Sequence, residues 1–120
     1  MAGYRAERIA ELIHSELAQR LRLEIKDYRV TDVSITRVTV TGDLRVASIE
    51  YMPLGGGEPS EDLQAGLEQA AKQLRGRIGR ALKLRHAPEL NFEYDTHTEE
   101  AIRVTRLIDD LTSGRDGENR

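Results

Sequence analysis

Residues 63–95 read LQAGLEQAAKQLRGRIGRALKLRHAPELNFEYD, and the rhythm of their apolar residues changes once. Leu63, Leu67, Ala70, Ala71, Leu74, Ile78, Ala81 and Leu82 keep the three-and-four spacing of a helix face. Pro88 stops any continuation, because it lacks an amide hydrogen and clashes with the preceding turn. From Leu90 the period drops to two: Leu90, Phe92 and Tyr94 alternate with Asn91, Glu93 and Asp95, so a strand with one buried face follows. The helical part reads either as one long helix or as two in succession.

On the N-terminal side, Gly55-Gly56-Gly57-Glu58-Pro59-Ser60 is the strongest break in the chain, and Pro59 or Ser60 suits the entry to a new helix. Before it, Val30 to Thr41 and Arg45 to Met52 are β-branched stretches joined by the polar turn Thr41-Gly42-Asp43, which reads as a hairpin. The apolar parity changes between Val33, Ile35 and Val38, Val40, and this predicts a β-bulge near Thr36 and Arg37. Earlier still, Ile9, Leu12, Ile13, Leu17 and Leu21 form the stripe of an amphipathic helix over residues 5–23.

On the C-terminal side, Thr96 to Glu99 has capping-box spacing, and Ala101, Val104, Ile108 and Leu111 line a final short helix. The expected fold is α+β, in the order helix, strand, strand, helix, helix, strand, with an appended C-terminal helix. A three-stranded sheet with helices on one face would bury all of these stripes. Residues 1–111 are expected to form one domain, and 112–120, TSGRDGENR, a disordered polar tail.

The chain has 120 residues, enough to remove about two-thirds of the unfolded surface from water without staples. Cysteine is absent, which excludes disulfides, thiolate zinc sites and cysteine nucleophiles. The start, MAGYRAERIAELIHSEL, is charged throughout instead of carrying a signal peptide's apolar segment, and no run reaches membrane-span length, so a cytoplasmic protein without membrane contact is expected. Aromatic content is one Phe, four Tyr and no Trp. Single-strand binders that stack bases need exposed aromatic platforms, and this composition offers almost none.

The charge distribution is more informative than the net charge of −3, which excludes a uniformly basic coat. Residues 58–71 carry Glu58, Glu61, Asp62 and Glu68 without a base; from Lys72 to His86 the chain carries Lys72, Arg75, Arg77, Arg80, Lys83 and Arg85 without an acid. On an ideal helix these cations lie opposite the stripe centred on Leu74, with Gly76 and Gly79 between Lys72 and Lys83. Small residues flanked by cations would let a phosphodiester backbone approach closely. The plain alternative is that acids at a helix start and bases at its end merely suit the macrodipole. Gly76-Arg77-Ile78-Gly79 also matches the GxxG that clamps a backbone in KH domains, although Ile78 falls on the apolar stripe of a continuous helix.

Enzyme signatures are wanting. Gly55 to Gly57 has no following Lys-Ser/Thr pair, and Glu58 would repel a phosphate. No serine sits in a GxSxG elbow. Asp95, His97 and His86 are metal-ligand types at an unspecific spacing, and His14 reads as a helix-surface residue. Neither a metal nor a cofactor nor a small-molecule substrate is expected.

Taken in order along the chain, Arg5-Ala6-Glu7-Arg8-Ile9, then Thr36, Val38, Asp43-Leu44 and Ala47, then Leu74-Arg75 with Leu82, Leu84 and Arg85, and finally Pro88-Glu89-Leu90-Asn91-Phe92-Glu93-Tyr94-Asp95 resemble the ribosome-binding factor A family. The resemblance covers roughly residues 5 to 111. It implies a type II KH-like fold, with two central helices meeting at a kink, typically Ala-x-Gly, in place of a GxxG loop. It also implies a non-catalytic factor that binds 16S rRNA on the free 30S subunit and assists late maturation and 16S rRNA processing. Two departures stand out: the kink position reads Ala70-Ala71-Lys72, leaving the break there or nearer Gly76, and a frequent Asp-Pro-Arg reads Asp27-Tyr28-Arg29.

The expectation is therefore a monomer that docks on structured rRNA through Lys72, Arg75, Arg77, Arg80, Lys83 and Arg85 around Gly76 and Gly79. Arg5 and Arg8 would be secondary contacts, and proteins of the small subunit additional partners. Two alternatives stand beside it. One is a protein-interaction module using the acidic last third (Glu89, Glu93, Asp95, Glu99, Glu100, Asp109, Asp110); the other is a general KH-type RNA binder with a true GxxG loop at Gly76 to Gly79.

Overall fold

A computed structural model of the protein describes residues 2–30 and 32–118. The elements run α1 (Ala2–Leu23), β1 (Val33–Val40), β2 (Val46–Pro53), α2 (Glu61–Ala81), β3 (Glu89–Tyr94) and α3 (Thr96–Glu118). The strands form one sheet in the order β1-β2-β3, with β2 antiparallel to β1 and parallel to β3. A parallel neighbour requires a crossover connection, and α2 supplies it.

Alternation decides which sheet face is buried. Ala47, Ile49 and Tyr51 of β2 point one way and are buried with Val40 and Leu90 against Ile13, Leu17 and Leu21 of α1 and Leu63, Leu67, Leu74 and Ile78 of α2. Both helices therefore cover the same face. Tyr51 and Phe92 meet edge to face there, with ring centroids 6.1 Å apart at 75°.

The expected bulge is present: the β1–β2 register shifts between Ile35 and Arg37. The extra residue, Thr36, turns its hydroxyl to the Glu50 carbonyl and the Asp95 carboxylate. Ser60 is the N-cap of α2, its hydroxyl accepting from the Leu63 N–H at 3.1 Å.

Three expectations are corrected. The central helix pair is a single helix, unbroken through Ala71-Lys72 and through Gly76 and Gly79. Alanine, lysine and glutamine between residues 69 and 73 favour helix, so local propensity offers no break where the resemblance implied a kink. The cap of α3 is Asp95, one residue before Thr96, and its carboxylate accepts from the Thr98 N–H at 2.9 Å.

The third correction concerns α3 itself. Ala101, Val104, Ile108 and Leu111, expected to be buried, are exposed together with Leu107, and none of the α3 side chains among the described residues belongs to the core. The radius of gyration, 17.8 Å, exceeds the roughly 13.6 Å of a compact chain this long, as an outlying helix requires. The helix also runs to Glu118, past the expected boundary at 111, because no proline interrupts it and helical hydrogen bonds are satisfied locally. Residues 119 and 120 of the expected tail lie outside the described residues.

Candidate nucleic-acid interface

The acids Glu61 and Asp62 stand in the first turn of α2 and Arg80 in its last, the arrangement the macrodipole favours. Lys72, Arg75, Arg77 and Arg80 are exposed on the second half of α2, and Lys83 and Arg85 are exposed in the connection to β3. All six thus gather at one end of one helix. They do not share one narrow face: with Leu74 at zero, Arg75 falls near 100° and Arg77 near −60°, flanking the buried stripe, while Lys72 and Arg80 lie on the outward side.

The flanking residues are engaged with the protein. Arg75 Nε donates to the Ala87 carbonyl at 3.2 Å, and Arg77 Nη1 lies 3.2 Å from Glu24 Oε1 at the end of α1. That pair is half-exposed, so it contributes little to stability while still lowering the charge Arg77 offers. Among the described residues, no ion pair engages Lys72, Arg80, Lys83 or Arg85.

The glycines behave differently from expectation. A Cβ at Gly79 would stand 2.8 Å from the Ala87 Cβ and 3.0 Å from its Cα, so the notch is filled by the returning chain and is closed to a phosphodiester. Gly79 is buried for this reason. Gly76 is half-exposed and faces the guanidinium of Arg80, with 3.3 Å from an ideal Cβ to Nη1. Both lie inside α2, so the GxxG loop reading is overturned.

Lys83 closes the helix in the left-handed region at φ 55°. Its N–H donates to the Arg80 carbonyl at 3.1 Å and that of Leu84 to the Gly79 carbonyl at 2.9 Å, the paired bonds of a Schellman motif. Glycine usually fills this position, because a side chain there costs about 1–2 kcal/mol. A lysine here keeps a cation beside Arg80 and Arg85 at that expense.

Arg5 and Arg8 are exposed on the first turns of α1. At 1.5 Å rise per residue, Arg8 lies about 24 Å along the helix from Glu24, the residue that meets Arg77. The structure does not bring them to the α2 group.

Composition also understated the aromatic surface. Tyr51 is buried, but Tyr28 is 89% exposed at the tip of the turn between α1 and β1. Only a burial pattern, which no count reveals, distinguishes the two.

The remaining chemistry-bearing residues are committed elsewhere. Asp95 is 3% exposed; burial disfavours its charge, yet hydrogen bonds from the Thr36 hydroxyl and from the Thr98 hydroxyl and N–H outweigh that and hold its carboxyl down at about 2. His14, expected on the helix surface, is half-buried in a cleft of about 530 Å³ between α1 and β1 with Arg22 and Asp32. Those three make no hydrogen bond with one another.

Residues 5–108 match the family model of ribosome-binding factor A. The chain belongs to the ribosome-binding factor A family. It is 41% identical over 118 residues to the ribosome-binding factor A of Heliobacterium modesticaldum, covering 98% of both chains. It is 38% identical over 108 residues to that of Desulfitobacterium hafniense, covering 90% of this chain and 86% of the other. The crystal structure of ribosome-binding factor A from Thermus thermophilus superposes with a TM-score of 0.64 at 19% identity, over 74% of this chain and 94% of that one. A Thermus homology model fitted into a cryo-EM map of a complex with the 30S subunit gives 0.51 at 24% identity, over 68% and 90%. The KH-like arrangement of ribosome-binding factor A is thus present here, with one continuous helix where the resemblance implied two.

Proposed function

We propose that this member of the ribosome-binding factor A family is a non-catalytic assembly factor of the cytoplasm that binds 16S rRNA on the free 30S subunit and assists its late maturation. Lys72, Arg80, Lys83 and Arg85 are its main phosphate contacts. Arg75 and Arg77 are weaker ones, already sharing their donors with Ala87 and Glu24. The observation that carries the reading is the exposure, at one end of α2 and in the following turn, of four cations that have no carboxylate partner among the described residues, in a chain of net charge −3. A chain with that overall charge gains phosphate affinity only where cations are concentrated. Family membership supports the choice of partner, since a relative 41% identical over 98% of this chain carries the ribosome-binding name.

The mechanism is electrostatic docking. Each phosphate neutralised releases condensed counterions, so four contacts give a slope of log K against log salt near −3 to −4. The rigid helix fixes the spacing of Lys72 and Arg80, at about 12 Å along its axis, and the Schellman turn fixes Lys83 beyond them. No described helix is long and apolar enough to cross a membrane.

The test is sedimentation with purified 30S subunits over a salt series. Replacing Lys72 and Arg80 together by Ala should weaken binding at least tenfold and reduce the salt slope by about two. Unchanged affinity and slope would exclude this end of α2 as the contact. Loss of binding after ribonuclease treatment separates an RNA partner from a protein one.

A further inference from the structure

Tyr28 stands at the second position of the turn Asp27 to Val30, which is closed by the Val30 N–H on the Asp27 carbonyl at 3.0 Å. The Asp27 carboxylate clamps the far side: it accepts from the Arg29 N–H at 2.9 Å, from Nε at 3.0 Å and from Nη2 at 2.6 Å. These bonds, the side-chain one above all, hold the Asp27 carboxyl down at about 2. Below the turn is Gly66 of α2. An ideal Cβ there would lie 2.9 Å from Val30 Cγ2 and 3.1 Å from Arg29 Cβ, so the turn is seated directly on the helix.

The same connection touches α2 a second time, through Glu24 and Arg77. It is therefore pinned along the helix that carries the basic residues, at points about 16 Å apart by helix rise. Out of this rigid mount the Tyr28 ring projects 89% exposed, with exposed Lys26 two residues before it. With the backbone of the turn held, binding there orders little more than the side chain itself, and its neighbours Lys26, Asp27 and Arg29 are charged instead of forming the apolar surround of a protein hot spot. A flat aromatic face with a cation nearby suits a nucleobase, since every base has a π-face and a phosphate attached.

We propose that Tyr28 is a base-stacking contact that receives an unpaired nucleobase of the RNA while the end of α2 takes the phosphates. This rests on the rRNA-binding reading above and adds to it a recognition element for a single-stranded position. Stacking releases no counterions, so it separates from the phosphate contacts by its salt behaviour.

The full chain lacks tryptophan, so Tyr28→Trp introduces a lone indole whose fluorescence reports stacking. Titration with 30S subunits and with naked 16S rRNA should quench it. Tyr28→Ala should bind about 5- to 100-fold more weakly with the salt slope unchanged, and Tyr28→Phe within about twofold of the natural chain. Silent indole fluorescence at saturation, or Tyr28→Ala binding as tightly as the natural chain, overturns the stacking contact and leaves the phosphate reading intact. A Tyr28→Ala defect that survives ribonuclease digestion of the subunit assigns the ring to a protein surface and also overturns it. Failure of the natural chain to bind 30S subunits or 16S rRNA removes both readings together.

Discussion

The hydroxyl of Thr36 donates to the carboxylate of Asp95, 59 residues further along the chain. Thr36 is the bulged residue of β1 and Asp95 the cap of α3, so one short contact joins the outer edge of the sheet to the start of the last helix. The Asp95 N–H also bonds the Tyr51 carbonyl at 2.8 Å, which ties β2 into the same node.

Asp95→Ala should destabilise the protein by about 2–3 kcal/mol, because it removes a cap and takes the acceptor from the Thr98 hydroxyl and the shorter of two from Thr36. Thr36→Val should cost about 1–2 kcal/mol, and the double variant less than the sum. Urea titrations of the four proteins measure this; additive losses would mean that the two residues act independently.

The pH dependence follows from the same carboxylate and from Asp27, both held at about 2 in the folded chain against an ordinary 3.8. A depressed carboxylate binds its proton more readily when unfolded, so its stabilisation is complete above about pH 4 and is lost as pH falls toward 2. Stability should drop across that window, and Asp95→Asn should flatten the drop. Carboxyl NMR titration checks the cause directly: an Asp95 midpoint near 4 would contradict it.

Three helical glycines should respond in opposite directions to alanine. Gly76→Ala meets only the flexible end of Arg80 and should stabilise by up to about 1 kcal/mol through helix propensity. Gly79→Ala presses on the backbone of Ala87, and Gly66→Ala on Val30 and Arg29, so each should lose about 1–3 kcal/mol. Thermal melts rank them; a stabilised Gly79→Ala would refute the close packing of the returning chain.

Lys83 sets stability against binding. Lys83→Gly relieves the left-handed backbone and should stabilise by about 1 kcal/mol. It should also reduce the salt slope of 30S binding by about one, the signature of a lost phosphate contact. A more stable variant with undiminished binding would show that this cation is idle.

Periodicity made most of the fold legible. The stripe from Leu63 to Ile78, the alternation at Leu90 to Tyr94 and the parity change at Ile35 each encode a geometric repeat, and each led to the right element. What stayed hidden depends on neighbours. Gly79 is tolerated inside α2 because Ala87 needs the space, a contact no local window contains. The apolar face of α3 was correctly read as a face but wrongly given a partner, since a moment says which side is greasy and not whether anything covers it. At the candidate interface the six cations were legible from their run without acids. The engagement of Arg75 and Arg77, the strain at Lys83 and the bare ring of Tyr28 were not, because each is a property of tertiary surroundings.

Among the described residues no α3 side chain enters the core, and the helix is tethered at the Asp95 node. A fluorophore or affinity handle attached at the exposed Leu111 would therefore leave the core residues untouched. The outlying helix offers experimenters a built-in attachment arm.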